Sequence, residues 1–343
     1  MRIAGIATAV PSPMDQQALW DGFFSKHYDG SRLAERVWAS SGVTTRHGVV
    51  NPLVEDVSTW GTGARMRRYV EEALPLGKDA VSSALAQAGV AAEDVGLFAV
   101  VSCTGYATPG LDILLARDLG MPAGVQRLFV GHMGCYAAIP GLAAASDAVA
   151  ARGLTTVLLC IELTSLHVQP ATDEAQQMVA HALFSDAATA VVLTPQDRGL
   201  TVVDTVARTD VAHHTYMTWD VTDLGFRMGL SPQVPDVLAT HVRDVVETFL
   251  AGHGLTIGDV KGWAIHPGGP RILDVCRDEL GLDESELDAS RETLRDYGNC
   301  SSPTVLIALD ALRRKRSFAA GDPVVALAFG PGLTLYGTLL RQA

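Results

Sequence analysis

Three short segments combine residue types that can carry out acyl-transfer chemistry. In FVGHMGCYAAIPGL (129–142) a strand-like run gives way to Gly131-His132-Met133-Gly134, then Cys135, then an Ala-rich run that favours helix. A cysteine at the first turn of a helix faces unpaired N–H groups and the positive end of the helix dipole, and both favour the thiolate. A small buried thiol is the ordinary alternative. In WAIHPGGP (263–270) an apolar strand ends at His266, and Pro267-Gly268-Gly269-Pro270 follow. That run has few side chains, so a ligand can approach its backbone closely. A single histidine also reads as a structural residue. In DYGNCSSPTVL (296–306) Asn299 stands between Gly298 and a helix start, with Ser301, Ser302 and Pro303 as cap and first turn. Asn299 alone also reads as a turn residue. Together the three are more specific. They supply a sulfur nucleophile, an imidazole to exchange a proton with it, and donors for a carbonyl oxygen.

The elements that must position these groups occur twice in the chain. Residues 79–104 and 244–269 match at a constant offset of 165, including Asp79/Asp244, Leu85/Leu250, Gly89/Gly254, Asp94/Asp259 and Ala99/Ala264. Each copy has apolar residues at helical spacing, a glycine stop, an Asp-Val turn and a short apolar strand. The runs TVLLCIEL (156–163) and VVALAF (324–329) are apolar without alternation, as expected of strands covered on both faces. The pattern predicts two similar α/β halves, 1–197 and 198–343. Loops at equivalent positions of the halves would converge on one cavity.

Composition limits the function classes. The chain has 343 residues, 48% hydrophobic and 19% charged, which excludes a disordered chain, a collagen-like chain and a small disulfide scaffold. With 26 Lys+Arg against 38 Asp+Glu its net charge is −12, so a nucleic-acid partner is not expected. A phosphate-bearing small substrate met by a few arginines stays compatible with that charge. The five cysteines, 103, 135, 160, 276 and 300, are odd in number and scattered, with no CxxC. That predicts a reducing, cytoplasmic setting rather than a disulfide framework or structural zinc. No metal is expected, since His213-His214 lacks a third ligand at suitable spacing. The first ten residues lack the features of a signal peptide. The uncharged stretch 95–111 is too short for a membrane span.

The segments GCYAAIPG, HPGGPRILD, YGNCSSPTVL and FGPGLTLYGTLL resemble, in order and spacing, the landmarks of bacterial-type type III polyketide synthases, the chalcone synthase-like family. GIATAVP (5–11) and VTTRH (43–47) extend the resemblance over nearly the whole chain. It implies an α/β, five-layered αβαβα thiolase-like fold of two pseudo-duplicated halves, in a homodimer. It implies that Cys135 carries a starter acyl group, that His266 pairs with its thiolate, and that His266 and Asn299 stabilise the enolate of decarboxylated malonyl-CoA. Products would be alkylpyrones, alkylresorcinols or small phenols. Acyl-CoA and malonyl-CoA are the substrates, with no tightly bound cofactor. Phe184, in LFSDA, and Phe226, in DLGFRM, match two phenylalanines between cavity and CoA tunnel. The family's glycines beside the LFSDA aspartate are Ser185 and Ala187 here. The substrate pocket maps to Cys103, Thr104, Thr108, Thr164 and His167, with Thr108 at the position inserted across the dimer interface. CoA contacts map to Arg36, with Leu33 and Ser40 replacing two basic positions. Arg32 and Arg271 are substitutes, beside Gly268 and Gly269. That thin cluster leaves an acyl carrier protein as another source of the starter; the basic run Arg313-Arg314-Lys315-Arg316 reads first as a solvated helix end and, as the sharper alternative, as its dock. Two other readings are a single-condensation ketoacyl synthase using carrier-bound substrate and a non-catalytic thiolase-fold binding partner.

Overall fold

The computed structural model describes residues 2–196 and 199–343, so the expected boundary at 197/198 lies outside the described residues. In chain order the strands are β1 (Arg2–Ala9), β2 (Pro13–Asp15), β3 (Thr45–His47), β4 (Leu97–Val101), β5 (Gln126–Val130), β6 (Thr156–Glu162) and β7 (Ala187–Thr194). There follow β8 (Leu200–Thr209), β9 (Met217–Thr222), β10 (Gly225–Leu230), β11 (Gly262–Ile265), β12 (Pro323–Gly330) and β13 (Thr334–Gln342). Nine of them are joined in the order β11-β12-β13-β8-β1-β7-β6-β4-β5.

Two sets of four repeat one pairing pattern. β4 runs parallel to β6, β6 antiparallel to β7, and β7 antiparallel to β1. Likewise β11 runs parallel to β12, β12 antiparallel to β13, and β13 antiparallel to β8. The sets meet at a short ladder, Arg2 opposite Thr201 and Ile3 opposite Leu200. The offset of 165 carries into three dimensions. It maps the 3₁₀ turn Ala92–Asp94 onto Ile257–Asp259 and the start of β4 onto the start of β11.

The layers follow from which faces are apolar. β6, β7 and β12 are buried at every residue, as strands covered by helices on both sides must be. Helices Ala138–Arg152 and Pro303–Lys315 form the middle layer. Leu142, Val149, Val305 and Leu309 pack there with Leu158, Leu200, Val324 and Leu340 from both strand sets. Helices Thr62–Ala88 and Leu111–Asp118 cover one outer face, over Phe98, Val100 and Leu159. Val234–Ala251 and Pro270–Leu280 cover the other, over Trp263, Ile265 and Leu327. The result is the αβαβα sandwich. No helix among the described residues is long and apolar enough to cross a membrane. The loops that carry Cys135 and His266 leave the carboxyl ends of β5 and β11, where open α/β sheets place their ligands, whereas Asn299 lies between helices Asp288–Tyr297 and Pro303–Lys315.

Candidate active site

Cys135 occupies a 3₁₀ turn, Gly134–Tyr136, ahead of the helix that begins at Ala138. Gly134 has φ +73, and a Cβ there would stand 2.8 Å from Pro331 Cδ, so only glycine fits the turn beneath the Gly330-Pro331 loop. Burial pushes the Cys135 thiol up to about 12, helped by the nearby charge of Glu162 and opposed by hydrogen bonds with the side chains of Ser301 and Asn299. A helix end alone would lower it; burial works the other way here. The sulfur lies outside the helix proper, and desolvation outweighs its donors.

His266 follows the last residue of β11 and is 1% exposed. Its backbone N–H donates to Leu327 O at 2.8 Å, which fixes where the ring begins. Neither ring nitrogen has a hydrogen-bond partner among the described residues. Burial draws the imidazole down to about 3, so it is neutral at pH 7. Two unsatisfied buried nitrogens on one ring are rare in native proteins and mark a group held ready for a ligand. Asn299 forms a β-bridge with Phe184, its N–H donating to Leu183 O at 2.8 Å while Ser185 N–H donates to its carbonyl at 3.0 Å. The Asn299 side chain accepts from Ser301 N–H at 2.8 Å and donates to Gly268 O at 3.5 Å, in the loop that carries His266. The structure thus ties Asn299 to the His266 loop and brings its amide within electrostatic reach of the Cys135 thiol.

Glu162, which the sequence reading passed over, anchors the floor. It is fully buried at the end of β6. It accepts from Cys103 N–H at 3.0 Å, Thr104 N–H at 3.1 Å and Thr104 Oγ1 at 2.8 Å on one oxygen, and from Ser302 Oγ at 2.7 Å on the other. Burial raises its pKa, while Ser302, Cys103 and Thr104 pull it back. A lone carboxylate ending a wholly apolar strand was the available signal. Ser302 is therefore not a side-chain cap for helix Pro303–Lys315 as expected; its hydroxyl turns to Glu162 instead. Ser301 holds φ +57, uncommon for a residue with a side chain, and its hydroxyl lies 3.8 Å from Cys103 Sγ. Cys103 is half-buried beside Cys135 and Glu162, and burial together with those neighbours raises its thiol well above the usual range.

The phenylalanine pair borders an apolar cavity. Phe184, Phe226, Thr164 and His167 all line it; Cys135, His266 and Asn299 do not. His167 fixes the gate. One ring nitrogen accepts from Phe226 N–H at 2.9 Å, and the other is 2.6 Å from Thr104 O, which assigns its proton there. Its ring stacks on Phe226 with centroids 4.6 Å apart. Gly225, at φ +91, lets the β9–β10 hairpin turn against this ring; a Cβ would meet Arg65 Cδ at 2.5 Å. Trp219, also missed in the sequence, lines the same cavity from β9. Thr108 does not belong to this chain's pocket. It is exposed on the loop after β4, bonded to the exposed Tyr106 hydroxyl at 3.2 Å, because that loop turns outward before helix Leu111–Asp118.

The VTTRH segment proves to be a strap. Arg46, fully buried, donates to the carbonyls of His181 at 2.6 Å, Ala182 at 2.5 Å and Phe184 at 3.1 Å, and to Gln16 Oε1. These are the free carbonyls at the end of helix Ala175–Leu183, where a cation is favoured. His47 O accepts from Asp186 N–H at 2.9 Å, and Thr44 N–H donates to Arg295 O at 2.8 Å. β3 therefore ties the Phe184 segment to the helix that precedes Asn299.

The cationic candidates lie outside this chamber. Arg32 and Arg36 are exposed one turn apart on helix Arg32–Ala39, and the exposed Arg271 lies 3.7 Å from Asp236. Gly268 is half-buried and Gly269 buried at the start of helix Pro270–Leu280. The basic run is a solvated helix end, as its position suggested, and its cations are paired rather than free as a dock. Arg314 pairs with Asp310 at 2.6 Å, Lys315 with Glu292, and Arg316 with Glu286 at 2.8 Å, because acidic residues of the same corner face it. His213 is likewise engaged, 2.7 Å from Asp210.

A buried cysteine, imidazole and amide at the strand ends of an αβαβα sandwich define a condensing enzyme of the thiolase-like class. Comparison with known proteins narrows this. Residues 4–196 match the N-terminal domain of chalcone and stilbene synthases, and residues 208–343 match their C-terminal domain. The chain is 35% identical to the 1,3,6,8-tetrahydroxynaphthalene synthase of Streptomyces peucetius subsp. caesius, over 90% of this chain and 83% of that protein. It is 32% identical to the alpha-pyrone synthesis polyketide synthase-like Pks18 of Mycobacterium tuberculosis, over 89% and 81%. Among solved structures, PKS-I from the brown alga Ectocarpus siliculosus superposes with a TM-score of 0.92 at 30% identity, covering 100% of this chain and 98% of that one. The chain belongs to the chalcone and stilbene synthase family. It is a type III polyketide synthase, an acyltransferase that condenses CoA thioesters.

Proposed function

We propose that this synthase loads a starter acyl group on Cys135, extends it with malonyl units, and releases an alkylpyrone, alkylresorcinol or small phenolic product. The observation that carries the reading is a buried imidazole, His266, with both ring nitrogens unpartnered on the loop that Asn299 grips through Gly268 O, beside a buried thiol whose titration Asn299 and Ser301 influence. Cys135 attacks the starter thioester as His266 takes its proton, and CoA leaves. His266 and the Asn299 amide then donate to the thioester oxygen of malonyl-CoA. Its carboxylate departs as CO₂, and the electrons of that C–C bond form an enolate on the held oxygen. The carbanion end attacks the acyl-Cys135 carbonyl, a C–C bond forms, and the C–S bond breaks to return the sulfur. Donors fixed in a dry site act most strongly where charge develops. Phe184 and Phe226 supply an apolar wall beside the malonyl carboxylate, which disfavours its charged state. Incubation with acyl-CoAs and radiolabelled malonyl-CoA yields CO₂ and extended products on this reading. No CO₂ and no extension across short, long and aromatic starters would overturn it.

The working unit on this reading is a homodimer in a reducing cytoplasm, where five unpaired thiols persist. The support for a second copy is β5, an edge strand exposed along most of its length, with Leu128 at 37% and Phe129 at 42% exposure. Open apolar edges are otherwise liabilities. Light scattering on a Leu128→Arg/Phe129→Asp variant should report a monomer where the native chain gives a dimer. A native monomer, or a variant that stays dimeric, counts against this arrangement. The exposed Arg32, Arg36 and Arg271 fit CoA delivery of the starter better than the neutralised basic run fits a carrier protein.

A further inference from the structure

We infer that Arg46 is a positioning residue for decarboxylation: its guanidinium fork holds the segment that sets the Asn299 backbone, and so aims the amide at the enolate oxygen. The inference rests on the enolate role proposed above for Asn299. A guanidinium carries five N–H donors, and all five are engaged here. Nη1 donates to the carbonyls of His181 at 2.6 Å and Phe184 at 3.1 Å. Nη2 donates to Ala182 O and to Gln16 Oε1, each at 2.5 Å, and Nε to the same Gln16 oxygen at 2.8 Å. The carbonyl that Arg46 skips, Leu183 O, is the one that accepts from Asn299 N–H. Successive carbonyls from 181 to 184 are thus divided between the arginine and the amide residue. Arg46 has no donor left for a substrate, so it acts through Asn299.

Little slack remains in this arrangement. Ser185 N–H donates back to Asn299 O and closes the bridge from the other side. Gly298 has φ +71, and a Cβ there would stand 3.0 Å from both Leu183 O and Ser185 Cβ, so the chain entering Asn299 passes against the held segment. The fork is itself braced. Gln16 Nε2 donates to Ala182 O at 2.9 Å, Gln16 N–H donates to Thr44 O at 2.9 Å, and Arg46 Cζ lies 4.9 Å from the centroid of the Trp38 ring. Outside its own turn the Asn299 side chain has only the 3.5 Å bond to Gly268 O, so its aim depends on where the bridge stands. A cation of any shape favours a helix end. A rigid planar fork is needed only where several acceptors must keep fixed relative positions.

The test compares two readouts: release of labelled CO₂ from malonyl-CoA, and acyl loading on Cys135 by intact-protein mass spectrometry. In Arg46→Met the kcat of decarboxylation should fall about a hundredfold, the scale of a misplaced catalytic group. The KM for malonyl-CoA and the loading rate should stay within about threefold of native, because only the aim of the donor is lost. Arg46→Lys keeps the charge but not the fork, and should stay at least about tenfold impaired in kcat. If Arg46→Met does not fold, Gln16→Leu, which removes the acceptor shared by Nε and Nη2, is read in its place with a smaller loss in the same direction. A folded variant that loses loading and decarboxylation alike, or neither, overturns the inference, as does a lysine variant restored to the native kcat. Failure of the native protein to release CO₂ would instead remove the enolate role itself.

Discussion

In a His266→Gln protein, iodoacetamide alkylates Cys135 at pH 7 at least about a hundredfold more slowly than in the native chain, and acyl loading falls with it. The expectation follows from two opposed shifts. Burial pushes the Cys135 thiol up to about 12 and draws His266 down to about 3, so neither group ionises readily by itself at neutral pH. A proton passing from sulfur to ring creates both charges together, and each offsets the other's desolvation. Glutamine cannot accept that proton. Its thiolate fraction at pH 7 then follows from a pKa of about 12, roughly one part in 10⁵. The variant should therefore climb about tenfold per pH unit through the neutral and alkaline range, with no plateau below about pH 12. The native profile should flatten across neutrality because the pair titrates as a unit. Peptide mapping separates Cys135 from the other four cysteines. Superimposable profiles for the two proteins would mean that His266 takes no proton from the sulfur.

Asn299 yields the second large effect. Asn299→Ala should cut malonyl-CoA decarboxylation on the order of 10²–10³-fold, the usual loss for one oxyanion donor, while acyl loading on Cys135 falls much less. Alanine also removes the oxygen that accepts Ser301 N–H, and Ser301 holds a positive φ beside the sulfur. Asn299→Asp keeps that acceptor and deletes only the donor. It places a carboxylate where negative charge must build, so its decarboxylation should drop at least as far as that of the alanine variant, with the Ser301 turn intact. Equal loss of loading and decarboxylation in the aspartate variant would make Asn299 a scaffold residue and not an enolate donor.

Much of this architecture was readable before any coordinates. TVLLCIE and PVVALAFG have no polar alternation, so they had to be strands covered on both faces, and they are. The offset of 165 foresaw the repeat because glycine stops and Asp-Val turns are local signals. Cys135, His266 and Asn299 stood out because each lies where a strand or turn meets a helix. What stayed hidden depends on contacts far apart in sequence. Glu162 meets Ser302 across 140 residues, and Trp219 meets Cys103 across 116. The burial that raises the Cys135 thiol stayed hidden for the same reason. A helix end is visible locally, whereas desolvation depends on everything packed around the sulfur. Thr108, expected at the position inserted across a dimer interface, is accordingly exposed and turned away from its own chain's cavity.

The bridge between Phe184 and Asn299 has a bearing on how such an enzyme diversifies. One gate ring is backbone-paired to the amide proposed to hold the enolate, and Arg46 clamps the carbonyls beside it. Remodelling that wall would disturb turnover along with shape. The opposite wall, Trp219 and Phe226, hangs on a two-stranded ribbon outside the main sheet. Substitution at Trp219 on the ribbon should therefore alter cavity shape at less cost to turnover than substitution at Phe184 on the bridge.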